Sequence, residues 1–344
     1  MSLIYSVNIT LADVPIVDNT LYPILINIIA NVLTVLVSIF GILTNAVNIL
    51  IFLRQGFIDQ VNITLLALAL SDLLALMAIS VPTLVFFMAY KLFDVILYSG
   101  EISYITAGTV HLIFVRVTGW LTAFITFERC LCVTLPLHVK SLFTKQRVTC
   151  VVVTIYVFSF ACLAPTYYTT RIISSYLPQI NRSYLILVYT DDRAIIDHVT
   201  FIVGNVFPVM ASFSIVVLST IFLVVGLVRS TTFSTHQIQQ LTTNNKIQVI
   251  SRKKIKIIKL TSSLALIYIV TFTPTIIFTV WTIRDPGFSV TGFNRNFFNV
   301  AFSFSFLMES LNSSLHIFPY YSLSAKYRTS FRTLFTCCPA VRVP

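Results

Sequence analysis

The chain has 344 residues, of which 57% are hydrophobic and only 10% charged, and its mean hydropathy is +0.90. Soluble domains carry about 25% charged residues, so a soluble globular protein is excluded. The apolar runs far exceed the roughly ten residues of a barrel strand, which leaves an all-α membrane protein. The net charge of +11 reads as basic inner loops rather than a nucleic-acid surface, and no nucleic-acid partner is expected.

Charge-free runs divide the chain into seven spans. They cover roughly 24–53, 61–89, 100–133, the stretch between Arg147 and Arg171, that between Asp197 and Arg229, that between Lys259 and Arg284, and that between Arg295 and Lys326. Each exceeds the ~20 residues that cross a bilayer. The expected plan is an extracellular N-terminus (1–23), a seven-helix bundle (24–322) and a cytoplasmic amphipathic helix with its tail (323–344). No internal repeat is visible, so inverted-repeat transporter folds lose support.

With the N-terminus outside, Lys and Arg concentrate in the inner loops and tail, as the positive-inside rule requires. A plasma-membrane, multi-pass protein is expected. Residues 1–22 lack the basic start and compact apolar core of a cleavable signal peptide, so the first span is expected to act as signal and anchor. Asn8 and Asn181 head outer glycosylation sequons; those at Asn62 and Asn312 fall at the inner edge and inside the membrane, where they should stay unmodified. None of the six cysteines falls in an outer segment, so no extracellular internal disulfide is expected. The inner stretch 230–252 is rich in Thr, Gln and Asn and is expected to be flexible up to Ser251. After the last span, Phe331, Leu334 and Phe335 share one face, with Lys326, Arg328 and Arg332 in reach of phosphates: an amphipathic helix on membrane lipids. Cys337 and Cys338 beyond it suit palmitoylation.

Charged residues inside spans are costly and usually functional. Here they are Asp72, Arg116, the Glu128-Arg129 pair at the end of span three, and Glu309. Glu309, Asn312, His316 and Tyr320 follow the spacing of one helical face and give span seven a polar stripe.

These features resemble rhodopsin-like G-protein-coupled receptors over residues 24–338. Span one carries GILTNAVN with Asn45, span two LALALSDLLAL with Asp72, and span three ends FERCLCV with Glu128 and Arg129. Pro208 and Pro274 stand at the family prolines of spans five and six. Span seven has LNSSLHIFPYY, similar to Asn-Pro-x-x-Tyr, with His316 for Asn, Ile317 for Pro and Tyr320 kept. The departures, including Phe272 for the usual Trp and no Cys in 169–198, are similar to divergent invertebrate receptors, of the molluscan chemosensory or FMRFamide-receptor type.

The resemblance implies roles. Arg129 pairs with Glu128 at rest and meets a heterotrimeric G protein once helix six swings outward about Pro274, with Tyr268 and Phe272 relaying. Lys254 stands where many members have an acid, which implies a weak resting lock and some basal activity. Asn45, Thr118, Asn312 and Ser313 surround Asp72 in what the family uses as a sodium pocket. A cationic His316 there would displace sodium, so a pH-sensitive switch is expected.

For the ligand, His111 lies on the same interior face of span three as Arg129, and since the resemblance would require an Asp there in an amine receptor, a monoamine is not expected. Arg116 is about 140° further around, towards span four or five, with Glu309 or an acidic ligand group as partner. Tyr167 and Asn205 are further lining candidates. The ligand is thus expected to be a neuropeptide or a chemosensory small molecule. A channel or transporter is the alternative. An enzyme is not expected: no nucleophile–base set or metal cluster is present. A retinal sensor would need a Lys in span seven, and 296–325 has none.

Overall fold

A computed structural model describes residues 15–57, 59–93, 102, 104–135, 142–177, 182–238 and 245–335. Side chains are described throughout these stretches except at 86–93, 104, 177, 182–185, 227–238 and 245–254. Asn8, Asn181, Cys337, Cys338 and the side chain of Lys254 therefore lie outside the described residues.

Helix α1 (Leu21–Gln55) contains a π-helical stretch at Asn27–Leu33. Asp18 caps its start: Oδ1 accepts from the Leu21 N–H at 2.7 Å and from the Thr20 N–H and hydroxyl at 2.9 and 2.8 Å. These donors, the Leu21 N–H foremost, hold the carboxyl below its ordinary range. The helix ends at Gly56, whose φ of +76° is open to glycine. Asn62 then ties the turn, its amide donating to Phe52 O at 2.8 Å and Gly56 O at 2.6 Å. Helix α2 is Gln60–Phe93, and α3 is a π turn at Tyr104–Gly108 followed by Thr109–Thr134. Helix α4 is Lys145–Tyr168, opened by a Thr144 cap.

Strands β1 (Thr170–Leu177) and β2 (Arg182–Tyr189) form an antiparallel hairpin, in register from Thr170↔Tyr189 to Leu177↔Arg182. The all-helical expectation passed over this hairpin, whose eight-residue strands lack strict polar alternation. Its base is held to the next helix without a disulfide: the Arg193 guanidinium lies 3.2 Å from the Tyr189 ring centroid and pairs with Asp197 at 2.7 Å.

Helix α5 runs as Arg193–Thr200, a π stretch at Phe201–Val206, and Phe207–Ile238. The π stretch sits just before Pro208, whose ring cannot follow a regular turn and whose missing N–H loosens the ladder there. Gly204 is required for packing, because a Cβ would lie 2.9 Å from the Cys162 carbonyl of α4. Helix α6 is Asn245–Arg284 with Pro274 inside. The expectation of a flexible stretch up to Ser251 is therefore corrected for 230–238 and 245–251, which are helical, whereas 239–244 lie outside the described residues. Helix α5 continues to Ile238 and α6 starts at Asn245, because a polar sequence without Gly or Pro extends helices already nucleated by the bundle.

Helix α7 has two segments, Arg295–Leu315 and Ile317–Leu323, and α8 is Ala325–Phe335. The break at His316 has a local cause. Pro319 has no N–H to give the Leu315 carbonyl, and its ring crowds that turn. The proline signal is thus present, two residues beyond the position at which the family motif places it.

Six of the seven bundle helices are long and apolar enough by composition to cross a membrane. The seventh, α7, is more polar because it carries Glu309, Ser310, Asn312, Ser313, Ser314 and His316, all buried. The bundle is polar inside and apolar outside: Leu43, Val157, Phe222 and Leu266 are about 60% exposed, whereas Asn45, Asp72, Thr126 and Ser310 are fully buried. Water would not tolerate that distribution over so large a surface; lipid does. Helix α3 is the central post, packed on α2, α4, α5 and α6.

Candidate functional site: a polar column through the bundle

The column has three tiers, spaced along α3 and α7. At the Arg129 end, Arg129 Nη2 donates to Glu128 Oε1 at 2.9 Å, with Glu128 buried and Arg129 nearly so. Gln60 of α2 donates to the same oxygen at 3.3 Å. The pair stands one to two turns before the end of α3 at Thr134. Gln60 escapes a sequence reading because nothing in its local pattern sets it apart.

The middle tier is centred on Asp72. Its Oδ1 accepts from Thr118 Oγ1 at 2.8 Å and Ser313 Oγ at 3.0 Å, and its Oδ2 lies 2.8 Å from His316 Nδ1. Ser71 Oγ joins Thr118 at 3.0 Å. The two asparagines expected around Asp72 stand one layer out. The Asn45 amide donates to the Ser313 carbonyl at 2.7 Å, and Asn312 Oδ1 faces Thr271 of α6 at 3.4 Å. A sodium ion is the group that the resemblance implies here, and the donor set fits it poorly. Both carboxylate oxygens already hold protein donors, and the imidazole nitrogen occupies the place on Oδ2 that a cation would take.

The third tier lies one to two turns further along. His111 Nδ1 is 2.9 Å from the Ala75 carbonyl, and its Nε2 is 3.5 Å from Glu309 Oε2. Glu309 Oε1 accepts from Thr275 Oγ1 at 3.1 Å. Thr275 follows the α6 proline and was not singled out in the sequence. Arg116 reaches α5, where Nη2 donates to Asn205 Oδ1 at 3.5 Å. Helix α5 is one of the two elements that its helical position allowed.

Tyr268 and Phe272 stack at 4.1 Å below Pro274, and Tyr268 shares a 3.0 Å hydrogen bond with Ser212 of α5. Gly119 of α3 makes room for that phenol: a Cβ there would lie 2.8 Å from Tyr268 Oη. Tyr167 does not join the column. Its ring lies on the outside of the bundle, 41% exposed, and its hydroxyl donates to the Ile105 carbonyl at 3.2 Å.

Below the middle tier, Tyr320 is buried between Phe52 and Tyr327, with centroids 5.3 and 5.7 Å away. The Tyr327 hydroxyl donates to Asn48 Oδ1 at 2.5 Å, which joins α8 to α1. Burial raises the Tyr327 phenol's pKa. Arg328, expected to face phosphates, uses Nη1 to cap the Tyr321 and Ser322 carbonyls at the end of α7, at 2.9 and 2.6 Å. Its position just past a helix end favours carbonyls over lipid.

Residues 32–338 match the serpentine-type seven-transmembrane G-protein-coupled chemoreceptor family Srw. The protein belongs to that family. It is a seven-helix chemoreceptor-type protein of the membrane, in agreement with the divergent rhodopsin-like pattern of its motifs. In this Srw chemoreceptor the three tiers link α1, α2, α3, α5, α6 and α7, the helices that carry those motifs.

Proposed function

We propose that this Srw receptor binds an extracellular ligand, a neuropeptide or a small chemosensory molecule, and activates a heterotrimeric G protein. The hairpin end of the bundle faces the outside of the plasma membrane, and the Arg129 end and α8 face the cytoplasm. One observation carries the reading. The buried ionisable groups described in the bundle, His111, Arg116, Glu309, Asp72, His316 and Glu128, lie in a column that joins the outer half of α3 and α7 to the Glu128–Arg129 pair. Buried ionisable groups are costly in a membrane protein and are kept where they act.

Ligand contact at the His111–Glu309 and Arg116–Asn205 tier changes the packing of α3, α6 and α7. Tyr268 and Phe272, stacked beneath the Pro274 hinge, pass that change along α6. Outward movement of the α6 foot then exposes Arg129, freed from Glu128, to the G protein. Because Lys254 supplies no acid at that foot, the resting state leaks. No step uses a sodium ion; Asp72 and His316 hold α2, α3 and α7 in register.

The test is basal G-protein nucleotide exchange in membranes, wild type beside Arg129→Ala at matched surface level. Loss of exchange in the variant supports the reading. Exchange that persists undiminished in Arg129→Ala refutes the role given to that residue.

A further inference from the structure

A groove of about 420 Å³ runs along the outside of the bundle between α3 and α4, lined by Val110, Ile113, Phe160, Ala161, Ala164 and Tyr167. It follows from the sequence of α4. Phe160, Ala164 and Tyr167 are spaced i, i+4, i+7 on one face, with Ala161 beside them, so two large rings flank two methyl groups. Two bridges keep the helices from closing over the alanines. At one end Phe114 and Phe160 pack edge-to-face at 5.6 Å; at the other the Tyr167 hydroxyl donates to Ile105 O at 3.2 Å.

The chemistry of the walls decides the occupant. All six side chains present hydrocarbon, and the one hydroxyl, at the rim, is already engaged. Water needs two to four polar partners and finds none. Both walls belong to membrane spans, Ile105–Thr134 and Lys145–Tyr168, so the medium at the mouth is lipid. An unfilled groove would forfeit dispersion contacts along its whole lining. A second helix is a poor fit. Close helix approach needs small residues on an open surface, and here Phe160 and Tyr167, 44% and 41% exposed, stand on either side of the alanines. A flexible chain can pass between the rings where a helix cannot.

We propose that this groove is a lipid site that takes the acyl chain of a membrane phospholipid. The site is separate from the polar column and does not depend on the signalling role given to it. The bound chain packs against the face of α3 opposite His111 and completes the contact between α3 and α4.

The experiment uses full-length receptor in phosphatidylcholine bilayers that contain a phosphatidylcholine with a photoactivatable diazirine in its acyl chain. After irradiation, adducts are mapped by peptide mass spectrometry. Labelling at 110–114 and 160–167 should exceed that at the exposed α1 face, Leu36 and Leu43, at least threefold. Ala164→Phe, which fills the groove, should bring labelling to the α1 level, and Val157→Phe, elsewhere on exposed α4, should not. Labelling no greater than at α1, or unchanged in Ala164→Phe, overturns the proposal. Should Ala164→Phe fail to fold, the wild-type ratio and Ala161→Leu decide it.

Discussion

Asp72 and His316 are 0% and 1% exposed, and their contact is 2.8 Å. Replacing His316 by Leu leaves the Asp72 carboxylate with two neutral hydroxyl donors in the centre of a membrane bundle. A buried carboxyl group left short of one hydrogen-bond partner costs about 1–3 kcal/mol. Replacing it by Asn is different. The Asn amide nitrogen hangs from the same carbon as the imidazole Nδ1, so the donor to Oδ2 is kept, and what is lost is some ring packing. Melting of purified receptor in lipid nanodiscs should therefore rank wild type, then Asn, then Leu well below. Sodium adds a second arm. In the Leu variant Oδ2 is open, and sodium at ten times its dissociation constant would restore about 1.4 kcal/mol, with an equal concentration of a bulky organic cation as the control. Wild type should show no such shift, because the imidazole already holds that position. A Leu variant that melts with wild type, or sodium that raises wild type as much as the variant, refutes the reasoning.

Gly119→Ala places a Cβ 2.8 Å from Tyr268 Oη and 3.2 Å from Ser212 Oγ, so it should lower the melting temperature, and Tyr268→Phe, which removes the crowded oxygen, should restore part of the loss. A double-mutant cycle reads this coupling, and strict additivity would count against the contact. Glu128→Gln replaces the charge-assisted bond of a buried pair by a neutral one, a loss of about 1 kcal/mol, and should raise basal nucleotide exchange about fivefold. Lys254→Glu should lower basal exchange by supplying the acid that α6 lacks; an unchanged rate argues against the weak lock. At the start of α1, the depressed Asp18 carboxyl makes its capping contribution fully present above the ordinary carboxylate range and lost as pH falls through the folded value. The protection of the Leu21 amide, its exchange rate relative to the intrinsic rate at each pH, should fall on acidification in wild type and be low at all pH in Asp18→Ala.

The seven spans were legible because lipid imposes a length and an apolarity that composition alone reveals. Individual residues of the column were legible for the opposite reason: Asp72, Glu309, Arg116 and Glu128-Arg129 stand out as charges where charge is expensive. The signal was weaker for neutral partners. Gln60, Ser71, Thr271 and Thr275 complete the tiers, yet Ser and Thr are common throughout these helices, and only their position beside a carboxylate or amide marks them.

What the sequence alone determined is the number of spans, the identity of the buried charges and their phase along each helix, since these follow from polarity and a 3.6-residue period. Tertiary structure decided which charge meets which. Helical phase put His111 and Glu309 on interior faces, but only the packing of α3 against α7 joins them, and only the α5 approach gives Arg116 its Asn205. It also decided that Tyr167 lies on the outside of the bundle, and that 230–238 and 245–251 extend α5 and α6. Pairing depends on distances between helices far apart in sequence, and those are set by the sum of all side-chain contacts, which no local pattern records.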